Sequence, residues 1–219
     1  MDQYCRTRLV DKEISAHEFI EFVIISLVLV AVIYYYEFNR LEAYTLIQRA
    51  AVEDPLTGLS NRRHFNKVFE DELHRAQRND FPFVFFIMDI DHFKQFNDTQ
   101  GHLEGDLALK RVAEVLRHHF RRSGDEVFRL GGEEFGGILS SGSHNDYLGY
   151  LEKLRSSIES LAISNVTTTA DVITASFGVS ITTDAGSVTP VEIYQKTDEA
   201  LYRAKEKGRN RIEIVLLPE

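Results

Sequence analysis

The chain has 219 residues, 34 acidic against 25 basic side chains, a formal net charge of -9 and one cysteine, Cys5. That length holds one good-sized domain plus an extra segment. The acidic balance, with no basic block, excludes the positive footprint of a nucleic-acid binder. A lone cysteine excludes an internal disulfide framework and fits a reducing compartment.

A short polar segment, 1–18, comes first. Residues 19–36 follow as about a bilayer's worth of apolar side chains, interrupted by Glu21 and closed by Tyr34-Tyr35-Tyr36, an interfacial aromatic belt. This reads as one transmembrane helix; a buried stalk helix or strand of a soluble dimer is the alternative. Arg6, Arg8 and Lys12 precede the segment, while Arg40 and Arg49 follow it, which mildly favours a cytoplasmic N-terminus. Residues 37–53 read as a connector helix suited to coupling two protomers. The Asp54-Pro55 step ends it, because the residue before proline disfavours the α region.

From residue 54 to 219 helical and strand patterns alternate. Helices are expected over Arg62–Gln77, Leu103–Phe120, Tyr147–Leu161 and Pro190–Lys207. Strands are expected over Phe83–Asp89, Glu126–Leu130, Phe135–Leu139, Ile173–Ile181 and Arg211–Val215. These give an α/β (α+β) fold with a central sheet flanked by helices. The run Phe83–Met88 is apolar throughout, as in a central strand buried on both faces, and breaks into carboxylates at its C-terminal end. Gly131-Gly132-Glu133-Glu134-Phe135 reads as a tight hairpin, with glycine supplying the positive φ of a two-residue turn. A carboxylate at the strand end facing another on a neighbouring hairpin suits a hard divalent cation such as magnesium, held together with substrate phosphates. Gly136-Gly137, just behind the hairpin, marks a candidate bulge.

Seven segments then stand in one order. They are Asp54-Pro55-Leu56-Thr57-Gly58-Leu59-Ser60-Asn61-Arg62-Arg63, Asp89-Ile90-Asp91-His92-Phe93-Lys94, and Asn97-Asp98 with Gly101-His102 and Gly105-Asp106. Next come Arg122-Ser123-Gly124-Asp125, the glycine hairpin, Ala200-Leu201-Tyr202-Arg203-Ala204-Lys205 and Gly208-Arg209-Asn210. In these segments the chain resembles the GGDEF family of diguanylate cyclases from about Asp54 to its C-terminus.

The resemblance implies a ferredoxin-like core related to the nucleotide-cyclase palm. It also implies synthesis of cyclic di-GMP from two GTP with release of pyrophosphate, by a homodimer of half-sites using Mg2+ or Mn2+. A catalytically inactive domain acting as a receptor for GTP or cyclic di-GMP is the alternative. GTP is cytosolic, so the expected setting is a bacterial inner membrane crossed once, with the catalytic domain inside; a soluble cytoplasmic protein is the alternative. This outweighs the one-charge difference in the flanking segments.

Residue by residue, the resemblance assigns Asp89, Glu133 and the Ile90 carbonyl to the metal, with Glu133 also placed to deprotonate the attacking hydroxyl. Lys94, Lys205 and Arg209 fall to the triphosphate, and Phe93 to the substrate segment. Cations near a helix C-terminus also fit dipole compensation, so it is the resemblance that assigns Lys205 and Arg209 to phosphate. Asn97 and Asp106 suit the guanine edge, with helix caps as the alternative. Glu134 either contacts nucleotide or only holds the hairpin. Arg122 and Asp125 match an inhibitory product site, with a solvated turn as the alternative; Lys153 and Arg155 are both candidates to complete it.

Overall fold

The computed structural model describes residues 16–122, 124–139, 147–166 and 171–218. Cys5, the three cations near the N-terminus and Ser123 lie outside the described residues. The chain divides into two compact units after Gln48. Helix α1 runs unbroken over Ala16–Val52, so the expected membrane segment and connector are one helix with no interruption at residue 36. Its apolar side chains from Phe19 to Tyr36 are exposed, interrupted by Glu21 and a half-buried Ser26.

The second unit is organised around strand β2, Phe83–Ile90, buried at all eight positions. Val84, Phe86, Met88 and Ile90 pack on helices α3 (Phe93–Gln100), α4 (His102–His119) and α5 (Tyr147–Glu159). Phe83, Phe85 and Ile87 pack on the opposite side with α2 (Arg62–Asn79) and α6 (Pro190–Glu206). The period-2 alternation of a strand sends successive side chains into two separate cores, which is why the run carries no polar residue until its end. Each fully buried Phe contributes about 1.5–3 kcal/mol of burial free energy.

The other strands are β1 (Ser60–Asn61), β3 (Glu126–Gly131), β4 (Glu134–Leu139), β5 (Ala175–Thr182) and β6 (Ile212–Leu217). The sheet order is β1-β3-β4-β2-β5-β6. Strands β3, β4, β2 and β5 are mutually antiparallel neighbours joined in β-α-β-β-α-β order, the ferredoxin-like split; β1 and β6 add a parallel strand at each edge.

Local chemistry sets the helix ends. Asn61 caps α2, its side chain accepting from the His64 N–H at 2.9 Å, and Phe65, Phe69 and Leu73 form the buried face. Thr189 caps α6 with Pro190 in the first turn. Gly136-Gly137 is no bulge: β4 pairs with β2 in unbroken register from Glu134 to Leu139. A side chain at Gly137 would overlap the Phe86 ring, so the glycine makes room for a core aromatic. The register shift lies instead in β3, between Arg129 and Gly131.

Candidate active site

Three elements meet at the C-terminal end of β2. Asp89, Ile90, His92, Phe93, Lys94, Gln95, Glu133, Lys205 and Arg209 line one cavity of about 240 Å³. Seven of these were singled out in the sequence; His92 and Gln95 were not. The His92 and Gln95 side chains are in contact at 2.7 Å, and His92 starts α3 in the left-handed conformation (φ 57°). Asp89 is nearly buried, and its Oδ1 lies 3.0 Å from Lys205 Nζ. Burial, with the nearby Glu133 and Glu134 carboxylates, pushes the Asp89 carboxyl up to about 6 against the opposing pull of Lys205. Lys205 therefore balances Asp89 here.

The hairpin places Glu133 in the cavity and leaves Glu134 outside its lining. The turn residues are Gly132 and Glu133, with Gly132 at φ 53°; Glu134 opens β4 directly across from Asp89. Arg129 holds the turn from behind. Its Nε and Nη2 donate to the Gly132 carbonyl at 3.0 and 2.8 Å, and its Nη1 donates to both Asp54 carboxylate oxygens at 3.0 and 3.2 Å. Burial opposes the Asp54 charge, but hydrogen bonds from Thr57 and Arg129 hold its carboxyl below the usual value.

Asp89, Ile90 and Glu133 line the same cavity, which sets two carboxylates beside one another there. Among the described residues no three His, Cys, Asp or Glu side chains converge. A set of two carboxylates and one carbonyl suits a hard cation that keeps water and substrate phosphate as further ligands.

Asn97 and Asp106 lie outside this lining and cap no helix: α3 starts at His92 and α4 at Gly101, neither with a side-chain cap. Asn97 is one turn beyond Phe93 on α3. A side chain at Gly105 would overlap the Asn97 amide oxygen, so the backbone of α4 comes close there. That oxygen is buried against Gly105 with no hydrogen-bond partner among the described residues, while Asp106, the next residue on α4, is exposed.

Arg122 and Asp125 share one turn, the Asp125 N–H donating to the Arg122 carbonyl at 3.2 Å. Arg122 is exposed and its guanidinium lies 5.9 Å from the centre of the Tyr150 ring. Tyr150 donates to the His119 carbonyl at 2.6 Å, and burial, with Asp125 nearby, pushes its hydroxyl up to about 12. Arg155 is engaged with Glu152, Glu159 and Asn210.

Sequence reading assigned no role to Arg129, Asp91 or Tyr150. Asp91 is 1% exposed and accepts from the Thr174 and Ser176 hydroxyls at 2.7 Å each, so the second carboxylate of the strand end fastens the start of β5.

A family model described as diguanylate cyclase, GGDEF domain, matches residues 51–211. The chain is 36% identical over 167 residues to diguanylate cyclase DgcP of Pseudomonas aeruginosa, covering 76% of this chain and 24% of that protein. It is 37% identical over 161 residues to diguanylate cyclase DosC of Escherichia coli, covering 74% of this chain and 34% of that protein. The chain thus spans about a quarter to a third of the length of these relatives. Among solved structures, the coiled coil and GGDEF domain of DgcB from Caulobacter crescentus, in complex with c-di-GMP, superposes with a TM-score of 0.74 at 29% identity, covering 87% of this chain and 100% of that one. Diguanylate cyclase SiaD of Pseudomonas aeruginosa, in complex with its activator SiaC, gives 0.68 at 34% identity, covering 91% and 75%.

Proposed function

We propose that this chain, which belongs to the GGDEF domain family of diguanylate cyclases, condenses two GTP into cyclic di-GMP and releases pyrophosphate. The observation that carries the reading is the cavity at the end of β2, where two carboxylates and three cations from four chain segments meet.

In the proposed step the 3′-hydroxyl of one GTP attacks the α-phosphorus of the other, a new P–O bond forms, and the bond to pyrophosphate breaks; the reciprocal attack closes the ring and releases a second pyrophosphate. A divalent cation held by Asp89, Glu133 and the Ile90 carbonyl supplies charge stabilisation to the attacking and leaving oxygens when bound. Glu133 takes the hydroxyl proton. Lys94, Lys205 and Arg209, the three cations of the cavity lining, grip phosphate oxygens. Asn97 and Asp106 read guanine: the Asp106 carboxylate accepts from its N1–H and N2–H groups, and the Asn97 amide offers a donor and an acceptor to the base edge. One domain holds one GTP, so two protomers must face each other. Incubation of purified protein with GTP and Mg2+ is expected to yield cyclic di-GMP. Specific activity should rise with concentration for a soluble fragment of the second unit. Tight GTP binding without product would favour the receptor reading instead.

The α1 segment His17–Glu42, 26 residues holding an apolar stretch of mean hydropathy 2.3, is long and apolar enough to cross a membrane, and we place the second unit on the cytoplasmic side, where GTP is. Retention in a carbonate-washed membrane fraction is the check.

Arg122 and Asp125 form the proposed product site, with the Tyr150 ring beneath the guanidinium. Cyclic di-GMP bound there shifts the population toward protomer arrangements whose active faces do not meet. Arg122→Ala should raise the inhibitory concentration of cyclic di-GMP at least about tenfold, since a bidentate charged contact is lost. Superimposable inhibition curves for the two proteins under initial-rate conditions would reduce the motif to a turn.

A further inference from the structure

We propose that Asn210 is a positioning residue for Arg209, clamping the loop after α6 so that the Arg209 guanidinium is presented to the triphosphate; this rests on the reading of the cavity as a GTP site. The loop is unusual in its backbone. Gly208, Arg209 and Asn210 follow one another at φ 110°, 63° and 47°. Two successive non-glycine residues in the left-handed region persist only where the surroundings over-determine them. Asparagine is among the few side chains that adopt this conformation readily.

The surroundings do over-determine them. The Asn210 N–H donates to Asp91 Oδ2 at 3.1 Å, and Asp91 is itself buried and pinned by Thr174 and Ser176. The Asn210 amide oxygen accepts from Arg155 Nη1 on α5, and its Nδ2 donates to Glu159 Oε1 at 3.1 Å. Arg155 is held in turn by Glu152 and Glu159. On the other side the Arg209 N–H donates to the Ala204 carbonyl at 3.0 Å, tying the loop back to α6. Asn210 thus joins the strand-end carboxylate that is not in the cavity lining to α5. It does not line the cavity, whereas Arg209 does. Asn210 therefore acts on nucleotide only through Arg209. The same contacts give Arg155 a function in the fold of the active-site loop.

The test is equilibrium binding of a non-hydrolysable GTP analogue and of GMP to the full chain. Wild type, Asn210→Ala, Asn210→Gly, Arg209→Ala and the Arg209→Ala/Asn210→Gly double variant are compared. Asn210→Gly keeps the left-handed backbone and the N–H to Asp91 while deleting both side-chain bonds, so it serves even if Asn210→Ala does not fold. Each single Asn210 variant should weaken the triphosphate analogue about tenfold, the size of one charge-assisted contact. GMP, which lacks the phosphates that Arg209 faces, should bind within about twofold of wild type, and the Asn210 change should add nothing once Arg209 is gone. Equal losses for GMP and the triphosphate, or additive losses in the double variant, overturn the positioning role and leave a structural one. A wild-type protein that binds neither nucleotide overturns the GTP reading and this inference with it. Wild-type binding that is unchanged in Asn210→Gly overturns the inference alone.

Discussion

Glu133→Gln should abolish cyclic di-GMP synthesis, by roughly 10³-fold or more, while the fold survives. The substitution keeps the shape of the side chain and removes its charge. Glu133 sits in a two-residue turn whose backbone is held independently, by the Arg129 bonds to the Gly132 carbonyl and by the Ile90 N–H donating to the Glu133 carbonyl at 3.4 Å. Its side chain is half-buried at the cavity and is not part of either core. Stability should therefore change by no more than about 0.5 kcal/mol, the range of substitutions that touch no packed or paired group. What changes is the donor set: of two carboxylates and one carbonyl, one carboxylate becomes a neutral amide that neither holds a hard cation well nor accepts the hydroxyl proton. The measurement is initial-rate product formation beside a thermal melt. Product at more than about a tenth of the wild-type rate would remove Glu133 from the proposed metal and proton-acceptor roles.

Much of this site was legible in the sequence because its signals are local. The β2 run is apolar at successive positions because both faces are covered, and the hairpin shows itself through the glycine that its turn requires. What was not legible depends on partners far apart in the chain. Arg129 reaches Asp54 across 75 positions, Asp91 reaches Thr174 across 83, and Asn210 reaches Asp91 across 119. No spacing rule links such residues, so the sequence shows no role for Asp91, which fastens the start of β5 through Thr174 and Ser176. Helix α3 escaped because eight residues with only Phe93 and Phe96 buried make too little periodic pattern. Strand β1 is two residues long and has no pattern at all. Gly136-Gly137 looked like a defect because the ring that occupies the space over Gly137 belongs to Phe86, on another strand.

Gly178 gives the second large effect, and it links the core to the cavity. It lies in the middle of β5, paired with Ile87 of β2 and Glu213 of β6. An added Cβ would overlap the Thr197 carbonyl oxygen and the Leu201 nitrogen and stand 2.9 Å from the Leu201 Cα. All three are backbone atoms of α6, so no rotamer change relieves the clash. The helix is also pinned at this contact, the buried Thr197 hydroxyl lying 2.6 Å from the Ile193 carbonyl and 2.9 Å from the Ser180 hydroxyl. Gly178→Ala must therefore push α6 off the sheet. Overpacking costs typically ~1–3 kcal/mol, and a backbone obstacle puts this site at about 3 kcal/mol. In a unit of this size the melting temperature should fall by roughly 6–12 °C. Lys205 lies one turn beyond Leu201 on the same helix, so a displaced α6 also carries its ammonium away from Asp89, now 3.0 Å distant. Stability and synthesis should decline together in this variant, whereas Glu133→Gln separates them. A melting temperature within about 2 °C of wild type would mean that α6 yields at little cost, and that its close seat on β5 does not set the position of Lys205.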